Sequence, residues 1–143
     1  MPRFMVIVKA TKESEAGVMP SRELIQAMGR YNQQLMDAGL LQSGDGLKPS
    51  SHGARIRFDA KGKKTLVDGP FAETKELVAG FWIWKCKSRE EALQWAMKCP
   101  PPHEGECEIE IRSFYEPEDF AGAMSDDEIA AEKKLFEKAA LNK

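Results

Sequence analysis

Hydrophobic positions along the chain alternate between strand-like and helix-like spacing. Residues 3–10 centre on Phe4, Met5, Val6, Ile7 and Val8, an apolar run rich in β-branched side chains that predicts a buried first strand. Residues 11–20 carry no period and read as a loop. Ser21 then suits an N-cap, and Leu24, Met28, Tyr31 and Leu35 follow at spacings of 4, 3 and 4, one apolar helical stripe that Gly39 is placed to end. Gly44, Gly46 and Pro49 make residues 40–51 an irregular connection, with a short strand near residues 40–43.

Arg55-Ile56-Arg57-Phe58 alternates polar with apolar, Asp59-Ala60-Lys61-Gly62 is turn chemistry, and residues 64–67 return as a strand. This is a hairpin. Beyond Asp68-Gly69-Pro70, residues 80–87 send Phe81 and Ile83 to one face and Trp82 and Trp84 to the other, which predicts a central strand. Ser88-Arg89-Glu90-Glu91 is a capping box that opens a helix carrying Ala92, Leu93, Trp95, Ala96 and Met97, and three prolines from Pro100 end it. Cys107, Ile109 and Ile111 alternate with Glu106, Glu108, Glu110 and Arg112, a strand with one apolar and one wet, acidic face. After a polar stretch over residues 116–127, a second capping box, Ser125-Asp126-Asp127-Glu128, introduces a last helix with Ile129, Phe136 and Ala140 on one side.

The order strand, helix, hairpin, strand, helix, strand predicts an α+β, ferredoxin-like sandwich: two helices on one face of an antiparallel sheet, with an extra C-terminal helix. Residues 1–116 form the domain and residues 117–143 a linker and helical extension. One sheet face is then bare and carries Trp82 or Phe81, depending on register. A homodimer through that face is the economical expectation.

At 143 residues, with 42% hydrophobic and 31% charged positions, the chain suffices for one domain with its own core. It is too short for a full Rossmann enzyme or an eightfold barrel. No apolar run approaches a membrane span, so no membrane association is expected and the setting is cytoplasmic. Net charge is −2, but residues 1–64 hold 11 basic and 6 acidic side chains (+5) while residues 65–143 hold 10 and 17 (−7). The basic cluster of Arg55, Arg57, Lys61, Lys63 and Lys64 sits around the hairpin, where it guards strand edges, and nucleic-acid binding is not expected. Cys86, Cys99 and Cys107 are odd in number and lack a CxxC pair, which argues against a disulfide framework and fits a reducing compartment.

Candidate chemistry concentrates at Asp68-Gly69-Pro70-Phe71-Ala72-Glu73-Thr74-Lys75-Glu76. Asp-Gly-Pro alone explains a rigid turn. The residues after it place carboxylates, a hydroxyl and an amine on one short loop, with Asp68 and Glu73 as candidate acid or base and Lys75 and Thr74 as candidate ligand contacts. Phe71, Tyr31 and His52 complete the candidate set. His103 has acidic neighbours but no ligand spacing, so no metal site is expected, and no phosphate-loop, dinucleotide or nucleophile-elbow motif implies a cofactor. Trp82, Trp84 and Trp95 read as core or interface rather than ligand-stacking residues.

The nine residues Asp68 to Glu76, followed by Gly80-Phe81, resemble the signature of DGPF-domain proteins, a branch of the YCII-related family, and residues 3–114 follow that family's layout. Asp45-Gly46 with Pro49 is also similar to its irregular segment after the first helix. The resemblance implies a ferredoxin-like fold that dimerises into an α/β barrel, with a cleft near the motif. It implies no defined reaction, and for some members it implies a link to sigma-factor regulators. Many members carry a histidine on the first helix. Here that position falls at about Met28, which leaves Asp68 without an imidazole partner. The expectation is a homodimeric small-molecule-binding protein. The alternatives are an enzyme in which Asp68 or Glu73 moves a proton while Lys75 or Tyr31 orients an anionic substrate, and an interaction module for a transcriptional regulator.

Overall fold

The structure, a computed structural model, describes residues 1–142, and the chain divides into two compact units, Met1–Ser113 and Phe114 onward. In the first unit the strands β1 (Arg3–Lys9), β2 (Leu41–Gly46), β5 (Val78–Lys85) and β6 (Ile109–Ser113) form one antiparallel sheet in the order β2-β5-β1-β6. Helices α2 (Arg22–Asp37) and α3 (Arg89–Ala96) pack on one face, the expected ferredoxin-like α+β arrangement. Phe4 and Val6 of β1, Trp82 and Trp84 of β5, Tyr31 and Leu35 of α2 and Ala92 of α3 make the core. The two tryptophans therefore belong to the helix side. Met5, Ile7, Phe81 and Ile83 are left on the open face, where Met5 lies opposite Ile83 and Ile7 opposite Phe81.

The expected hairpin forms as β3 (Ala54–Phe58) and β4 (Lys64–Asp68), with Ile56 opposite Leu66 and Phe58 opposite Lys64. It does not join the main sheet. It is a separate two-stranded sheet inserted between β2 and β5, and the strand position expected of it is filled by β2. The glycines that made residues 40–51 read as irregular fit this edge strand: a Cβ on Gly44 would lie 2.8 Å from Trp82 Cδ1 and 3.0 Å from the Phe81 carbonyl oxygen.

Residues 11–20, expected as a loop, contain a short helix α1 (Lys12–Glu15), in which Thr11 and Ser14 cap each other's backbone amides. Ser21 caps α2 through the Leu24 amide, and Gly39 beyond its end adopts φ +77°. Ser88 caps α3 through the Glu91 amide, but the Glu91 carboxylate accepts from the Lys87 amide rather than from Ser88, so the box is displaced by one residue. In the second unit a 3-10 turn over Pro117–Phe120 precedes α4 (Asp126–Ala140), whose Ser125–Glu128 capping box forms as expected. The Glu118 carboxyl is held below the usual range by Lys133, with which it pairs. No helix among the described residues is long and apolar enough to cross a membrane.

Candidate functional site

A cleft of about 520 Å³ in the first unit lies where α1, the segment after β2, the base of the hairpin and the start of β5 converge. Ser50 is its joint. The Ser50 amide donates to Glu15 Oε2 at 2.9 Å, its hydroxyl donates to Glu15 Oε1, and the same hydroxyl accepts from the Phe71 amide at 3.0 Å. One serine thus ties α1 to the loop after the hairpin. The Gly69 amide donates to the Gly53 carbonyl at 2.9 Å, and a Cβ on Gly69 would lie 1.8 Å from the Ser50 carbonyl oxygen. Only glycine admits this approach. The Gly69-Pro70 peptide bond is cis.

Arg55, on β3, sets its guanidinium carbon 3.8 Å from the centre of the Phe71 ring, a cation–π arrangement. Among the described residues no carboxylate lies within ion-pair distance of Arg55. His52 stands in a 3-10 turn over Ser50–His52 and, with Lys48, lines the basic side of the cleft. Leu77 and Val78 supply an apolar wall, and Glu76 stands beside them. Glu15 is the other carboxylate in the cleft, but both its oxygens accept hydrogen bonds from Ser50. The free polar character is therefore mainly cationic.

Of the residues expected to form a site, His52 and Phe71 line this cleft. Asp68 closes β4 opposite Ala54 and is exposed, and Glu73 and Lys75 are exposed beside a half-buried Thr74, outside the cleft lining. Tyr31 lies in the core, where its hydroxyl donates to the Trp95 carbonyl at 2.6 Å and its ring meets Trp82 edge-on, with centres 5.8 Å apart. Burial first, and then the neighbouring Cys99 and Cys86 thiols, hold the Tyr31 hydroxyl well above the ordinary phenol range. Its role there is to join α2 to α3. Trp82 donates from Nε1 to Asn32 Oδ1 at 2.7 Å and is likewise part of the core. His103 makes a 2.9 Å hydrogen bond to the Lys9 carbonyl with its Nε2.

Glu15, Ser50 and Arg55 were not singled out as site residues by spacing or motif. Glu15 and Ser50 meet across 35 positions, and Arg55 reads as an ordinary outward-facing hairpin residue. The one available signal was Gly69 directly after a strand, which indicates a close backbone approach without naming the partner.

The YCII-related domain family matches this chain over residues 3–115. An uncharacterized protein of Rhizobium meliloti (strain 1021) is 35% identical over 109 residues, which cover 75% of this chain and 82% of that one. With the ferredoxin-like sheet, the inserted hairpin and the cleft behind Asp68 to Glu76 in place, the chain belongs to the YCII-related family.

Proposed function

We propose that this chain is a homodimeric, cytoplasmic binding protein for a small anionic molecule, held in the Ser50–Phe71 cleft. The observation that carries the reading is Arg55, stacked on Phe71 above an apolar wall and free of any carboxylate partner among the described residues. A cation held in this way is positioned for an oxyanion without first having to break an ion pair. Lys48 and His52 add positive or hydrogen-bonding groups on the same side. Asp68, Glu73 and Lys75 shape the approach from the outer loop rather than the floor. The free cysteines Cys86, Cys99 and Cys107 support a reducing compartment.

Dimerisation is supported by the open sheet face. Met5, Ile7, Phe81 and Ile83 form an apolar centre bordered by Ser43 and Asp45 on one side and by Glu110 and Arg112 on the other, the composition of an interface with a polar rim. Two measurements test the reading. Calorimetric titration of a panel of small carboxylates and phosphate esters is expected to find a ligand whose binding is lost in Arg55→Gln and kept in Asp68→Asn. Sedimentation is expected to show a dimer that Phe81→Glu converts to monomers. Binding that survives Arg55→Gln would place the ligand elsewhere. Chemical conversion of a bound compound would move the reading to carboxylate acid–base catalysis.

A further inference from the structure

The hairpin poses a packing problem that one copy of the chain does not solve. A two-stranded sheet is marginal in water unless a third strand or another layer covers it. Arg55 sends its side chain to Phe71, so that face of β3 and β4 is turned toward the cleft. The opposite face carries Ile56, Phe58 and Leu66, adjacent by register and exposed at 51%, 61% and 63% of their surface. Strands of this length give the arm a reach of about 17 Å. Around the apolar face and its turn stand Lys61, Lys63 and Lys64, all exposed and without an ion-pair partner among the described residues. Asp59, the one carboxylate at the turn, accepts from the Lys61 and Lys63 amides and serves the turn itself.

The matching surface lies on the same molecule's sequence but at another place in the fold. β6 is an edge strand, so its outer side has no strand neighbour in the sheet. The segment leading into it carries Glu104, Glu106 and Glu108, all exposed and without ion-pair partners among the described residues, and no Lys or Arg stands between Lys98 and Arg112. The other edge strand, β2, offers only Asp45. Charge therefore distinguishes the two edges. We infer that in the dimer the β3–β4 hairpin is an arm that lies against the β6 edge of a second copy of this chain, its Ile56–Phe58–Leu66 face covered there and its lysines set against Glu104, Glu106 and Glu108. This rests on the homodimer proposed above and adds a reciprocal contact to it. Because Ala54 and Arg55 also line the cleft, docking of the arm fixes one cleft wall, and each ligand site depends on the partner for its rigidity.

The test uses two charge-reversed full chains, one with Lys61→Glu, Lys63→Glu and Lys64→Glu, the other with Glu104→Lys, Glu106→Lys and Glu108→Lys. All six positions are exposed, so both chains are expected to keep the wild-type circular dichroism. Alone at low salt, each is expected to associate about ten-fold more weakly than wild type, because like charges then meet at both arm contacts. Mixed in equal amounts, they are expected to recover wild-type association as a heterodimer, since each arm then meets an edge of opposite charge. Recovery on mixing separates a contact between copies from one within a copy. The arm contact is overturned if neither variant weakens association, or if the mixture stays as weak as its components. A wild-type chain that sediments as a monomer overturns the dimer and the arm together, whereas a dimer abolished by Phe81→Glu but indifferent to all six reversals overturns the arm alone.

Discussion

Trp84, on β5 of the four-stranded sheet, has no exposed surface, whereas Phe58, on β3 of the two-stranded sheet, keeps 61% of its own. Both strands alternate, and both place an aromatic ring where the pattern calls for an apolar residue. The difference is in what lies above them. Trp84 sits under α2 among Tyr31 and Leu35, while the hairpin has no helix over it and no third strand among the described residues. Alternation thus specifies which side of a strand is apolar, and topology decides whether that side is ever buried.

The contrast is broken most severely by truncation. Trp84→Ala is expected to cost about 3–5 kcal/mol in a urea titration, and Phe58→Ala about 0.5 kcal/mol or less when measured on monomer. Equal losses would mean that the hairpin is already covered within one copy. Next comes the joint between the two regions: Gly69→Ala drives a Cβ into the Ser50 carbonyl and is expected to cost about 2–3 kcal/mol, with loss of ligand binding at the cleft. A variant as stable as wild type would show that the loop re-routes freely.

A third effect, confined to alkaline pH, concerns the thiols, all of which belong to the first unit. Burial pushes both Cys86 and Cys99 up from 9.0 to about 11, with Glu91 adding to the first and Cys107 to the second. The unfolded chain therefore releases these protons first. Stability is expected to be complete below pH 9 and to fall as pH rises toward about 11, and Cys86→Ala should flatten that limb of the urea-midpoint profile. An unchanged slope would assign the alkaline loss to other groups.

The long elements were legible because their signals are local. The stripe from Leu24 to Leu35, the Ser21 cap and the Ser125–Glu128 box each act within a turn or two of helix, and each forms as read. β2 was only partly legible, since glycine lowers strand propensity in isolation while Gly44 and Gly80 are what close packing against neighbouring backbone and Trp82 requires. The hairpin's existence was local, but its absence from the main sheet depends on which strand pairs with β5, a competition that a repeating apolar pattern does not rank. The cleft was the least legible part. Its joint is a serine bonded to a carboxylate from a four-residue helix, and neither residue carries a motif.

The strand order also dictates when this protein can fold as it leaves the ribosome. β1 is flanked by β5 and β6, the last two strands of the sheet to be synthesised, and β2 pairs with β5 alone. Until β5 has emerged, β1 and β2 have no strand neighbour in the sheet, and α2 has no completed sheet against which to bury Tyr31 and Leu35. Only the β3–β4 hairpin can close from consecutive residues, so the nascent chain must carry an exposed apolar β1 through most of its synthesis.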